Sequence, residues 1–313
     1  MKKRLYIVST YYHALISCIK QLTEPCDSDI LVTNYIPGGY TLYERIKESG
    51  IFSGVYWNDS VTEYKPSNKI DYVLSYHRKN ARIVENQLSV SIQDYDNIQI
   101  FHEDTWFAHY LKDKKIKHHL NEDALDIYKI ISQTAFSYML PKKNLRFLMK
   151  SFLRIGYVFC GYDKYTECVE INDGDGIEIS DFVKGKLSIV PRKELFERLG
   201  ENEIDILKSI FAKNVPERDY SNSVLLLTQP LFADGRVKSL DEQLERFRKL
   251  AEETVGNGEE LVVKPHPRDT ADYSSVFDDA IIIDKNMPAE MLKYICPGGF
   301  KRIAKLTSCT VIY

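Results

Sequence analysis

The chain has 313 residues, 44% of them hydrophobic and 28% charged, the composition of a soluble globular protein with room for two domains. Its net charge of -3 provides no basic excess to displace counterions from a phosphate backbone, which argues against broad nucleic-acid binding. No stretch approaches the ~20 apolar residues of a transmembrane helix, and the six cysteines form no C-x-x-C pair, so reduced core thiols are expected and a metal cluster is not.

Met1-Lys2-Lys3-Arg4 resembles the start of a signal peptide, but the apolar run Leu5 to Val8 ends at Ser9 and Thr10. The sequence therefore predicts a first strand and a protein that stays inside the cell. Strand patterns follow at Leu5 to Thr10, Ile30 to Asn34, Val55 to Asp59, Tyr72 to Tyr76, Ile98 to Glu103 and Lys117 to Glu122. Helical patterns at Tyr11 to Leu22 and Tyr40 to Ser49 alternate with them, as in a parallel sheet covered by helices. The architecture is Rossmann-like without a nucleotide fingerprint, because the first strand leads into STYYHA and not a G-x-G-x-x-G turn.

Pro141 to Arg154 reads PKKNLRFLMKSFLR, a basic amphipathic segment suited to an anionic leaflet or to a core-facing helix with a solvated basic side. Glu167 to Asn172 reads as a strand, and Asp173-Gly174-Asp175-Gly176 as a tight turn, the glycines favouring that over a metal-binding D-x-D. Arg192 to Phe211 is helical in pattern, and the polar stretch from Asn214 to Ser223 reads as the linker between residues 1–218 and 219–313. Beyond it, strands at Ser223 to Thr228, Glu260 to Lys264, Ala280 to Asp284 and Arg302 to Thr307 are separated by helices near Leu240 to Thr254 and Pro288 to Ile295. Two such domains in tandem create a cleft, and ligands of open sheets bind at the carboxyl ends of the strands.

The candidate groups fall at those ends. In the second domain Lys264-Pro265-His266-Pro267-Arg268-Asp269 follows a strand; two prolines forbid helix around His266, and the flanking cations suit an anion. Gln229 and Ser308 also follow second-domain strands, and Thr307-Ser308 offers two hydroxyls. In the first domain Ser9, Thr10 and His13 follow the first strand, and two acidic pairs, Glu103-Asp104 and Glu122-Asp123, close later ones. Either pair could supply a base or cap a helix; the second is preferred because a helical pattern follows it, leaving one carboxylate free while the other caps. His118 and His119 precede that pair, but strand neighbours face opposite sides and cannot both reach one site.

STYYHALIS at the amino terminus, Glu122-Asp123-Ala124, KPHPRD, Met287 to Glu290 and the closing Leu306-Thr307-Ser308 together resemble the bacterial sialyltransferases of glycosyltransferase family 52 and the related polysialyltransferases. The resemblance implies a GT-B fold of two Rossmann-like domains, and transfer of sialic acid from CMP-sialic acid to a glycan hydroxyl with inversion and no obligatory metal or other cofactor. By position, Asp123 or Glu122 would be the base and His266 the donor to the departing phosphate. Lys264, Pro267, Arg268, Gln229, Pro230, Pro288, Glu290, Thr307 and Ser308 would hold the donor, with Ser9, Thr10 and His13 on the acceptor side. The resemblance further implies a nucleotide-sugar donor and a capsular or lipooligosaccharide acceptor, while the Pro141 to Arg154 segment keeps open a peripheral contact with the inner face of the membrane. Acceptor pockets are expected from variable loops such as Tyr35 to Tyr40. Two departures stand out: Ala124 replaces the family's glycine, which matters if that position needs positive φ, and Tyr313 closely follows the last strand where members usually carry a helical tail.

Two other readings fit the same residues. One is a CDP-polyol phosphotransferase, in which a strand-end histidine serves as base. The other is a non-catalytic glycan-assembly or glycan-binding protein that keeps the fold.

Overall fold

The structure, a computed structural model, describes residues 3–59, 64–103, 105–123, 127, 131, 161, 164–213, 215, 216 and 218–306. Asp104, Ala124, the segment Pro141 to Arg154, Cys160, Thr307, Ser308 and Cys309 lie outside these. The chain forms two compact units, residues 1–199 and 200–313.

The first unit is a seven-stranded parallel sheet of β1 (Arg4–Val8), β2 (Ser28–Thr33), β3 (Gly54–Asn58), β4 (Asn97–Ile100), β5 (His118–Asn121), β6 (Thr166–Ile171) and β7 (Leu187–Ile189), in the order β3-β2-β1-β4-β5-β6-β7. Its described helices are α1 (Tyr11–Thr23), α2 (Gly39–Ser49), α3 (Lys69–Gln87), α4 (Trp106–Asp113), α5 (Asp181–Lys184) and α6 (Arg192–Glu197). β2 is buried along its whole length and β1 from its second residue, as expected of strands covered on both faces.

The second unit opens with α7 (Glu201–Phe211) and carries a parallel sheet in the order β10-β9-β8-β11. Its strands are β8 (Ser223–Leu227), β9 (Glu260–Lys264), β10 (Ile281–Ile282) and β11 (Arg302–Lys305), with α8 (Leu240–Thr254) and α9 (Leu292–Ile295). Both units are thus Rossmann-like. The sequence set the division near residue 218; in the structure α7 groups with the second unit, where it packs against α9.

One predicted strand is a helix. Tyr72 to Tyr76 lies inside α3, which starts where Asn68 Oδ1 accepts the Asp71 N–H at 2.9 Å and runs 19 residues. A five-residue, largely apolar run does not distinguish the two states; the buried pair Ala81 and Val84, three apart, shows the helical period that governs. β1 also stops at Val8, because Thr10 becomes the N-cap of α1 and its Oγ1 accepts the His13 N–H at 3.1 Å.

A buried ionic network joins α1, α6 and the sheet. Glu170 of β6 accepts from Lys20 Nζ of α1 at 2.6 Å and from Arg192 Nη1 of α6 at 2.7 Å, while Lys20 also donates to Asn121 Oδ1 at 2.5 Å. Burial pushes Lys20 down to about 8 against the pull of Glu170. Arg192 is fully buried, and among the described residues its Nε and Nη2 have no hydrogen-bond partner, so Glu170 is its principal compensation. Glu170→Gln is therefore expected to destabilise the protein by about 3 kcal/mol, since two buried cations lose their shared counter-charge. Urea unfolding checks this; a loss below about 1 kcal/mol would mean that the cations find relief elsewhere.

Candidate active site

The first sheet reverses direction at β1, with β2 and β3 on one side and β4 to β7 on the other. The crevice outside the carboxyl ends at such a reversal is where open α/β sheets hold ligands. Asp123, two residues past β5, stands there between two imidazoles. Its Oδ1 lies 2.5 Å from His13 Nε2 in the first turn of α1, and its Oδ2 lies 2.6 Å from His102 Nε2, two residues past β4.

Elementary donor counting assigns the protons. The Ser9 N–H can only donate, and it points at His13 Nδ1 at 3.2 Å. His13 therefore keeps its lone pair on Nδ1 and its proton on Nε2, which donates to Asp123. His13 is 1% exposed and stacks on Phe101 with centroids 4.3 Å apart; burial pushes its pKa down against the pull of Asp123 and keeps it neutral. Burial alone would raise the Asp123 carboxyl, but the hydrogen bonds from His102 and His13 outweigh it and hold it well below the usual carboxylate range. Asp123 is thus a fixed anion. His102, whose side chain is 43% exposed, is the half of the pair that solvent reaches, and an imidazole backed by a carboxylate can take a proton while its new charge is stabilised.

The sequence-predicted residues around Asp123 are scaffolding for it. Thr10 caps α1 onto the His13 N–H, Ser9 sets the His13 tautomer, and Ser9 Oγ accepts from Thr33 Oγ1 at 3.3 Å. Glu122 is 5% exposed and accepts the Asn172 N–H at 2.5 Å, tying β5 to the turn after β6. In the other acidic pair, Glu103 is fully buried and accepts from Thr166 Oγ1 and, at 3.1 Å, from the Gly161 N–H, with His118 Nε2 at 3.4 Å. His118 and His119 do diverge: His119 Nδ1 instead meets Gln99 Nε2 at 3.2 Å. The sequence missed His102, which sits beside the acidic pair that drew attention in IFHEDTW; its place after a strand adjoining β1 was the available signal.

Among the described residues, His13, His102 and Asp123 also offer three potential metal-ligand atoms within 4.8 Å of one another. The fit fails at His13. While Ser9 donates to Nδ1, His13 Nε2 carries a hydrogen and has no lone pair for a cation.

In the second unit β8 is the reversal point, flanked by β9 and β10 on one side and β11 on the other. His266 follows β9, and its Nδ1 accepts the Arg268 N–H at 3.1 Å. The proton of the neutral ring is therefore on Nε2, leaving that atom a donor. Burial, then Arg268 and Lys264, push its pKa down. Asp269 anchors this loop: its Oδ2 accepts from Thr228 Oγ1 at 2.9 Å and Tyr273 OH at 2.8 Å, and its Oδ1 from Gln243 Nε2 at 2.8 Å and the Ala271 N–H at 3.0 Å. Thr228 Oγ1 in turn accepts the His266 N–H at 3.3 Å.

Other predicted donor-side residues divide by access. Lys264 is 4% exposed and donates to the carbonyls of Pro265 and Lys285 at 2.7 and 3.1 Å; it fastens the strand end, and burial lowers it to about 8. Arg268 is exposed and donates to Asp234 Oδ1 at 3.2 Å. Pro230 and Pro288 are buried, Gln229 is partly exposed, and burial raises the Glu290 carboxyl.

The sequence profile of glycosyltransferase family 52 matches residues 41–312. An uncharacterized protein of Haemophilus influenzae is 29% identical over 133 residues, which is 42% of this chain and 42% of that protein; the match thus spans less than half of that relative's length. Among solved structures, UGT73P12 of Glycyrrhiza uralensis, complexed with glycyrrhetinic acid 3-O-monoglucuronide, aligns over 97% of this chain and 72% of its own at a TM-score of 0.52 and 9% identity. The spinosyn forosaminyltransferase SpnP aligns over 94% of this chain and 72% of its own at a TM-score of 0.47 and 11% identity. The likeness to UGT73P12 agrees with a GT-B fold.

Two expectations concern the anchoring carboxylates. Because the folded pKa of Asp123 lies below its ordinary 3.8, the stability that its ionised form contributes is present above that value and lost as pH falls through the folded one. The stability cost of Asp123→Asn is thus expected to shrink between pH 7 and pH 3; a cost independent of pH in urea titrations would contradict the ion-pair assignment. Asp269→Ala leaves the buried Thr228, Gln243 and Tyr273 donors without their acceptor and is expected to cost about 3 kcal/mol. Unfolding measurements that give a neutral variant would remove Asp269 as the anchor.

Proposed function

As the chain belongs to glycosyltransferase family 52, we propose that it transfers sialic acid from CMP-sialic acid to a hydroxyl of a cell-surface glycan, with inversion at the anomeric carbon. The observation that carries the reading is Asp123 gripping the half-exposed His102 at the strand reversal of the first sheet. An acceptor hydroxyl gives its proton to His102, and Asp123 stabilises the imidazolium. The acceptor oxygen bonds to the anomeric carbon as the bond from that carbon to the CMP phosphate oxygen breaks. His266 Nε2–H donates to that phosphate oxygen, lowering the cost of its departing charge.

An oxocarbenium-like transition state of this kind needs an opposing base and a stabilised leaving group more than a covalent nucleophile. The base role rests on Asp123 with His102, and Glu122 holds the turn beneath them through the Asn172 N–H. Arg268, Gln229, Pro230, Pro288, Glu290, Thr307 and Ser308 are assigned to the donor by the family pattern. Pro267 keeps the His266 loop extended, and Lys264 acts on the loop from below through its two carbonyl bonds. No metal is needed in this scheme, which the Nε2–H tautomer of His13 supports. No described helix is long and apolar enough to cross a membrane; contact with the inner membrane face through Pro141 to Arg154 belongs to the same proposal.

A donor screen tests the reading. The purified chain is expected to release CMP from CMP-sialic acid and to leave CDP-glycerol intact; the reverse pattern would replace it with the polyol phosphotransferase. CMP binding by calorimetry without turnover of either donor would favour an assembly protein. Asp123→Asn, His102→Ala and His266→Ala are each expected to lower kcat about 10²-fold or more with CMP affinity kept in the first two. If His102→Ala alone retains full kcat, the proton passes directly to Asp123.

A further inference from the structure

An aromatic cluster lies along the same strand edge and is used by none of the chemistry above. Tyr40 and Tyr43 of α2 flank Trp57 near the end of β3, with ring centroids 5.7 and 6.2 Å from the indole and 5.6 Å from each other. Tyr40 is 53% exposed and the neighbouring Tyr35 40%. The cluster is held by a close approach: a Cβ on Gly39 would come within 3.2 Å of the indole ring, so a glycine there lets α2 settle against Trp57. Tyr11, two residues before His13, donates its hydroxyl to the Pro37 carbonyl at 3.0 Å and ties the loop that carries Tyr35 to the start of α1.

We propose that these rings are a stacking platform for a pyranose unit of the acceptor glycan, remote from the reacting hydroxyl. The inference rests on the transferase reading and adds to it a minimum acceptor length. Aromatic faces carry partial negative charge and attract the polarised C–H bonds of a sugar face, while tyrosine hydroxyls at the rim meet its O–H groups. A few rings fall far short of the ~800 Å² a side that a stable protein interface buries, but they match the face of a sugar. The β3 end lies three strands from the β4 end that leads to His102, and at ~4.8 Å per strand that separation is about 14 Å. A monosaccharide cannot bridge it; an oligosaccharide can.

The test compares oligosaccharides of three to five galactose, glucose and N-acetylglucosamine units with their methyl monoglycosides, as acceptors and in titrations followed by intrinsic fluorescence. The wild type is expected to favour the oligosaccharides, and Tyr40→Ala and Trp57→Ala to remove that preference by about tenfold in KM or Kd. Hydrolysis of CMP-sialic acid should be unchanged, and Trp57→Phe should recover most of the loss. An oligosaccharide preference untouched by Tyr40→Ala and Trp57→Ala would overturn the platform. So would a shift from dimer to monomer in those variants with unchanged KM, which would make the patch a contact with a second copy. If the wild type turns over no donor, the transferase reading fails by itself; fluorescence titrations still decide the platform, and no oligosaccharide binding there overturns it.

Discussion

One backbone N–H decides what the first unit can do. Ser9 follows β1 directly, and its amide hydrogen occupies His13 Nδ1, so the ring must present Nε2–H to Asp123. With one oxygen satisfied from a buried, neutral and stacked imidazole, Asp123 stays ionised and turns its other oxygen to His102. Any change that moved the Ser9 amide would free the tautomer, and with it the orientation of the carboxylate on which His102 depends. The extended end of β1, the Thr10 cap and the opening turn of α1 are the means by which a linear sequence fixes a proton to one nitrogen.

The second unit repeats the device with another outcome. There the Arg268 N–H occupies His266 Nδ1, and again Nε2 keeps the hydrogen. The difference is what the loop does with it. The prolines and the Asp269 anchor hold His266 in an extended turn, whereas His13 lies on a helix that brings it to a carboxylate. A donor without a carboxylate partner suits a departing phosphate; a donor aimed at a carboxylate can only brace it. The same tautomer thus orients a carboxylate in the first unit and, in the proposed transfer, would stabilise the leaving group in the second.

Most of the sheet was legible because parallel strands buried on both faces leave apolar runs bounded by turn residues, and the KPHPRD segment announced a strand end through its prolines. Tyr72 to Tyr76 was misread because its period is ambiguous over five residues, and the helix is marked only by the Asn68 cap before it and by Ala81 and Val84 after it. The site was legible only in part. Asp123 and His266 sit in recognisable strings, but His102 matters through a residue on a different strand, and Asp269 through Thr228, Gln243 and Tyr273 on three other segments. Such meanings arise from tertiary neighbours and leave no local trace. His13 shows the same limit in reverse: its position was readable, while its burial against Phe101 was not.

In the proposed transfer the chemistry falls to Asp123 and not to Glu103, Glu170 or Asp269, because of how those three carboxylates are engaged. Glu103 has both oxygens occupied, by Thr166 and by the Gly161 amide; Glu170 is held by Lys20 and Arg192; Asp269 accepts four donors at once. Each is bound to neighbours that do not reach solvent freely, so each stabilises structure and none is placed to exchange a proton with a ligand. Asp123 is also doubly engaged, but one of its partners is a titratable ring that is 43% exposed. A carboxylate held far below its ordinary pKa is a poor base in its own right and a strong stabiliser of an adjacent imidazolium. The feature that disqualifies Asp123 from acting alone is therefore the one that suits it to act through His102.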